Sequence, residues 1–135
     1  MFLRAVVQRV LSADVSVAGK IVGSIDGGFL VYLGVGEGDA KKDADYLADK
    51  IVNLRVFEDG QGKMNQSLLD TGGKLLIISQ FTLYGDCRKG RRPSFSGSAP
   101  AQEAKRLFDY FVEVIVESWD VQIEKGVFQE NMMVR

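Results

Sequence analysis

The run Leu75-Leu76-Ile77-Ile78 passes without a break into Ser79-Gln80-Phe81-Thr82-Leu83-Tyr84-Gly85-Asp86. This change of chemistry constrains the chain more than any other stretch. Four consecutive apolar residues, two of them β-branched, suit a strand covered on both faces. Ser79, Gln80 and Thr82 then bring hydroxyl and amide groups to the end of that strand. Buried polar groups cost free energy unless they are paired. Two readings follow: side chains that satisfy a strand end locally, or a rigid polar platform that a ligand completes.

Composition narrows the chemistry available to such a platform. The chain of 135 residues contains no histidine and a single cysteine, Cys87. Neither a Ser-His-Asp nor a Cys-His arrangement can be built, and zinc sites of the Cys/His type are excluded. No carboxylate cluster suggests a metal site, so neither metal nor cofactor is expected. Any hydrolase made from this chain works without an imidazole base. Cys87, an incidental thiol in a loop, excludes an internal disulfide and suits a reducing, cytoplasmic location. No apolar run approaches the ~20 residues that span a bilayer, and no secretory signal opens the chain. Its length suits one domain, residues 1–135, with a real core. A net charge of −1 means that any nucleic-acid contact comes from a local patch.

Taken in order, residues 2–10 read as a strand, followed by strands at about 13–18 and 20–25. Gly27-Gly28 breaks the chain before the apolar strand Phe29–Leu33. Glycines 34, 36 and 38 mark a loop, and no Gly-Lys-Ser/Thr follows to make it a phosphate loop. Asp39 is placed to cap a helix over roughly 40–53, whose Ala44, Leu47, Ala48, Ile51 and Leu54 form an apolar stripe. A short strand over 55–58 and turns at Asp59–Gly62 and Gly72-Gly73 lead to the central run.

Beyond it, residues 85–97 carry Arg88, Lys89, Arg91 and Arg92 against Asp86 alone, a local charge of +3. This is either a solvated basic loop or a phosphate-backbone clamp. The forked guanidinium suits the second reading, and Phe95 could stack on a base. Ser98, with Pro100 in the first turn, opens a helix over about 99–118. Its stripe of Ala104, Leu107, Phe108, Phe111 and Ile115 belongs to the core. Strands at 121–124 and 127–134 close the chain. Two helices set among strands argue an α+β fold.

Ser79-Gln80-Phe81-Thr82-Leu83 resembles the signature pentapeptide of the D-aminoacyl-tRNA deacylases, also called D-tyrosyl-tRNA deacylases. Four further blocks resemble the same family in the same order. They are Ala5–Val10, Gly34–Asp39, Arg55–Asp59 and Arg91-Arg92-Pro93-Ser94-Phe95. The resemblance implies a curved, barrel-like, mostly antiparallel sheet with two main helices, and a homodimer. It implies hydrolysis of the ester joining a D-amino acid, or glycine, to the terminal adenosine of tRNA. By likeness Ser79, Gln80, Phe81 and Thr82 line the pocket for that ester. Phe128 and Met132 form its adenine side, and Arg9 supports the motif. Arg88, Lys89, Arg91 and Arg92 become the tRNA-binding residues, with aminoacyl-tRNA as partner and no membrane.

Two mechanisms attach to this likeness. Thr82 could attack the ester, but a hydroxyl nucleophile needs a base and there is no histidine to serve. The preferred reading is assistance by the ribose 2′-hydroxyl, with Thr82 orienting and main-chain N–H groups near Phe81 and Thr82 stabilising the oxyanion.

The family's second signature is a Gly-Pro-Val-Thr stretch on the strand after the position of Met132. It holds a cis proline, enters the partner's pocket and rejects L-amino acids. Here Pro93 and Pro100 follow Arg92 and Ala99, so no Gly-Pro pair occurs. The sequence is therefore expected to be truncated at its C-terminus. The alternatives are a catalytically incomplete tRNA-binding module or a dimerisation module of the same fold.

Overall fold

The structure of the chain, a computed structural model, describes residues 3–135. The first strand, expected from residue 2, begins among them as β1 (Arg4–Val10). It is followed by β2 (Ala13–Val17), β3 (Lys20–Ile25), β4 (Gly28–Gly34) and helix α1 (Lys41–Asn53). Next come β5 (Phe57–Glu58), β6 (Met64–Gln66), the four-residue α2 (Leu68–Thr71) and β7 (Lys74–Ser79). A 3-10 turn over Phe81–Tyr84 leads through the basic loop to α3 (Ala101–Ser118), β8 (Ile123–Lys125) and β9 (Met133–Val134).

The expected double burial of the central strand is present. Leu75, Leu76 and Ile77 are 0% exposed and Ile78 is 1% exposed. Side chains alternate along a strand, so one apolar run serves two cores. Leu75 and Ile77 join Phe29, Val31 and Leu33 against α1 and α3, which contribute Ala48, Ile51, Phe108 and Phe111. Leu76 and Ile78 join Leu30 against Ala13, Val15 and Ile25 of the second sheet. The order of the first sheet is β1-β4-β7-β8, and that of the second is β3-β2-β9.

β4 pairs in parallel with β7, and β7 with β8, whereas the other pairings are antiparallel. The fold is α+β and mostly antiparallel by pairing. Its sheets pack against each other without closing into a barrel.

Several local expectations change. Asp39 does not cap α1: Ala40 occupies the N-cap and its N–H donates to the Asp43 carboxylate at 2.9 Å. The tight turn at Gly36–Asp39, with Gly38 at φ +83°, folds the Asp39 carboxylate back onto the Gly36 N–H at 2.7 Å. Similarly, Ser98 does not cap α3, because Pro100 is its N-cap and Ser98 bridges to Gly36.

Sequence reading missed α2 and β6. The short helix is held by a capping box in which Ser67 accepts from the Asp70 N–H and Asp70 accepts from the Ser67 N–H. Gly72, in the left-handed conformation, ends it. The final strands are shorter than expected, since residues 127–131 form a turn with Gln129 at φ +67°. That turn becomes part of the site.

Truncating Ile77, which is buried on the strand shared by both cores, is expected to cost about 3–4 kcal/mol of stability. Urea denaturation of Ile77→Ala measures it, and a loss below about 1 kcal/mol would mean that β7 is not the packing centre.

Candidate active site

The parallel pairing of β4 with β7 brings Leu33 opposite Ser79. The Gln80 N–H extends the pairing by donating to the Leu33 carbonyl at 2.8 Å. Open sheets form ligand sites outside the carboxyl ends of parallel strands, and here a cleft of about 690 Å³ opens at that edge. Its inner wall is apolar: Leu33 and Ile78 from the strands, with Ala104 and Phe108 from α3. Ser79, Gln80 and Phe81 line the cleft together with Phe128 and Met132. The signature and the adenine-side pair named from sequence therefore border one cavity.

The platform is a strand end folded into a turn. After Gln80 the chain tightens, with Leu83 N–H donating to the Gln80 carbonyl and Gly85 N–H to that of Thr82. The N–H groups of Phe81 and Thr82 open this 3-10 turn, so they have no acceptor within the turn itself. Gln80 Nε2 donates to Thr82 Oγ1, which holds the threonine hydroxyl. Thr82 stands at the exposed rim, outside the residues that line the cleft. Phe81 is 56% exposed and meets Phe95 edge-on, with ring centroids 5.1 Å apart.

Within the cleft lining, Phe128 tilts against Phe108 at 6.4 Å between centroids. The turn that carries Phe128 also places Gln129, Glu130 and Asn131 on the wall. Glu130 is the single ionisable residue among those that line the cleft. Sequence reading did not identify the wall positions Ser98, Ala99, Phe108 and Glu130. Phe108, a member of the α3 core stripe, also lines the cleft.

Arg9, which the resemblance assigns to supporting the motif, lies on β1. Its Nη1 donates to the Val56 carbonyl at 2.8 Å, tying β1 to the segment before β5. Arg4 contacts the motif directly. Its Nη1 donates to the Leu83 carbonyl at 2.9 Å, and its guanidinium carbon lies 4.4 Å above the Tyr84 ring. The two arginines are an odd number of residues apart, so they project from opposite faces of β1. That parity was a signal available in the sequence.

Tyr84 is buried, and its hydroxyl donates to Asp39 Oδ2 at 3.4 Å. Burial, together with the Asp39 charge, pushes the Tyr84 hydroxyl up to about 12. Burial also pushes the Asp39 carboxyl above its usual range.

The basic loop is closed by reciprocal main-chain hydrogen bonds between Asp86 and Ser94, at 2.7 and 2.9 Å. Arg88 grips the Asp86 carboxylate through Nε and Nη2, and its own N–H also donates to it. These hydrogen bonds hold the Asp86 carboxyl down at about 2. Arg88 is thus engaged within the loop. Lys89, Arg91 and Arg92 are exposed and have no side-chain partner among the described residues. Phe95 links this loop to the cleft wall. No group of three or more His, Cys, Asp or Glu among the described residues is placed to hold a metal. Among the same residues no helix is long and apolar enough to cross a membrane.

The profile of the family described as D-Tyr-tRNA(Tyr) deacylase matches residues 6–135. The chain belongs to this family. A D-aminoacyl-tRNA deacylase of Thermosipho melanesiensis is 58% identical over 132 residues, covering 98% of this chain and 88% of the relative. One from Fervidobacterium nodosum is 59% identical with the same coverages. Among solved structures, the c-Myc DNA Unwinding Element Binding Protein superposes with a TM-score of 0.92 at 37% identity, over 97% of this chain and 89% of that one. A probable eukaryotic D-amino acid tRNA deacylase shares the fold at a TM-score of 0.83 and 17% identity, over 100% and 93%. In this deacylase-family chain the signature turn thus borders the apolar cleft, and the basic loop adjoins it through Phe95.

Proposed function

We propose that the cleft receives the 3′ end of a D-aminoacyl-tRNA and that Ser79, Gln80, Phe81 and Thr82 hold the ester to be cleaved. Deacylation of D-aminoacyl-tRNA is the reaction of the family to which the chain belongs, and its relatives at 58–59% identity are named for it. One observation carries the assignment of the site: the signature turn opens onto an apolar cleft beside a pair of aromatic rings. Phe128 and Met132 suit the flat, apolar faces of the terminal adenine, and Ser79, Gln80 and Phe81 line the same cleft.

The reaction adds water across the ester. A water oxygen bonds to the carbonyl carbon, the bond to the ribose 3′ oxygen breaks, and that oxygen leaves with a proton. The products are free D-amino acid and tRNA with its terminal diol. The vicinal ribose 2′-hydroxyl assists, because the cleft wall offers no base other than the Glu130 carboxylate. Main-chain N–H groups of Phe81 and Thr82 stabilise the oxyanion, an effect commonly worth about 3–4 kcal/mol per donor. Thr82, bonded to Gln80, orients rather than attacks.

Lys89, Arg91 and Arg92 take the phosphates of the acceptor end, while Arg88 stiffens their loop by gripping Asp86. The chain works as one domain, in the cytoplasm where aminoacyl-tRNA is used, and as a homodimer. Exposed apolar side chains at Val6, Ile21 and Met133 support the last point.

Incubation with D- and L-aminoacyl-tRNA carrying the same amino acid is expected to release the D-amino acid preferentially. Gln80→Ala should lower the single-turnover rate by about 100-fold, and Thr82→Ala by less than about ten-fold. Release from neither ester would overturn the site, and loss of several orders of magnitude in Thr82→Ala would make Thr82 the nucleophile. For the loop, Arg91→Ala and Arg92→Ala are each expected to reduce the slope of log affinity against log salt by about one, whatever the tRNA sequence. Unchanged slopes would mean that the loop is merely solvated. Sedimentation of the free chain at micromolar concentration is expected to give a dimer mass, and a monomer mass would remove the homodimer.

A further inference from the structure

We infer that Arg4 is a positioning residue for the reaction: laid across Tyr84 and bonded to the Leu83 carbonyl, it fixes the 3-10 turn that presents Gln80 and Thr82. The inference rests on placing the ester at that turn. Its starting point is the tight fit behind the turn. A Cβ on Gly34 would stand 2.9 Å from the Gln80 carbonyl oxygen and 3.2 Å from the Tyr84 ring. One on Gly36 would stand 2.7 Å from the Tyr84 hydroxyl. The ring is therefore wedged against a ledge of two glycines, and Arg4, opposite Gly34 in the β1–β4 pairing, covers its outer side.

The same ledge reaches the other wall of the cleft. Gly36 bridges to Ser98, Glu37 N–H donates to the Gly97 carbonyl, and Ala99 N–H donates to that of Val35. Tyr84 thus stands between the turn bearing Gln80 and the strand-like segment bearing Ser98 and Ala99. The carbonyls at the end of a short helix are left without partners in the helix, and the Leu83 carbonyl takes its donor from Arg4, 79 residues away in sequence. A cation over a tyrosine face adds attraction along the same direction. Arg4 does not line the ligand cleft. Its removal should therefore disturb the alignment of Gln80 and Thr82 rather than the apolar contacts with Phe128 and Met132. Small misplacements of reacting groups cost rate steeply.

The test is single-turnover hydrolysis of D-aminoacyl-tRNA by excess enzyme, with rate constant and half-saturating concentration measured separately. Arg4→Met is expected to lose about ten-fold or more in rate constant while half-saturation stays within about two-fold. Arg4→Lys, which keeps a cation and a donor, should recover most of that loss. Should Arg4→Met not fold, Arg4→Ala carries the same expectation, because it too removes the donor and the cation at this exposed position. A parental rate in Arg4→Met, a loss confined to half-saturation, or an Arg4→Lys no better than Arg4→Met would overturn the inference. Gln80→Ala is measured alongside. If it loses rate while Arg4→Met does not, only the role of Arg4 fails. If both keep the parental rate, the placement of the ester fails with it.

Discussion

The site depends on the parallel pairing of β4 with β7. Both strands are buried almost throughout, so their register is fixed by apolar side chains on two faces at once. Slipping by one residue would exchange the two sets of core side chains. The last hydrogen bond of that ladder, from Gln80 N–H to the Leu33 carbonyl, is also the first fixed point of the signature turn. The energy that holds the polar residues in place is therefore hydrophobic and lies beneath them. Ser79 and Gln80 sit at the edge of a core that cannot shift without exposing Ile77 or Ile78.

The central strand and the core stripes of α1 and α3 were legible because each is long and periodic. Ser79, Gln80, Phe81, Phe128 and Met132, named through likeness, line one cleft, and Thr82 lies outside its lining. What escaped was decided by tertiary geometry. Asp39 looks like an N-cap by position, but a left-handed Gly38 turns its carboxylate onto Gly36 instead. Arg4 went unnamed, yet strand parity puts it on the face of β1 opposite Arg9 and gives it the Leu83 carbonyl. The 127–134 stretch reads as one strand from its apolar content. Only the Gln129 backbone, at positive φ, shows why it bends and lines the cleft.

Charge is divided in a way that net composition conceals. The chain as a whole carries −1, and the basic loop is less basic in effect than its formula suggests. Arg88 is satisfied by Asp86, and such exposed pairs contribute little to stability. Its consequence is instead conformational: it folds one arginine into the loop and leaves Lys89, Arg91 and Arg92 without a side-chain partner among the described residues. A flexible polyanion would meet three cations on a loop pinned at Asp86 and Ser94.

The absence of histidine from the whole chain links these features to mechanism. Without an imidazole to move a proton, the proposed reaction draws its rate from holding the ester, the water and the ribose hydroxyl in one arrangement. Oriented main-chain N–H groups suit that task because they cost no reorganisation when charge develops. They are useful only if the turn that carries them is rigid, and a four-residue 3-10 turn has little internal strength. The rigidity has to be supplied from outside, by the Leu33 carbonyl on one side and by the Tyr84 wedge under Arg4 on the other. On the proposed placement of the ester, residues behind the cleft matter as well as those in it.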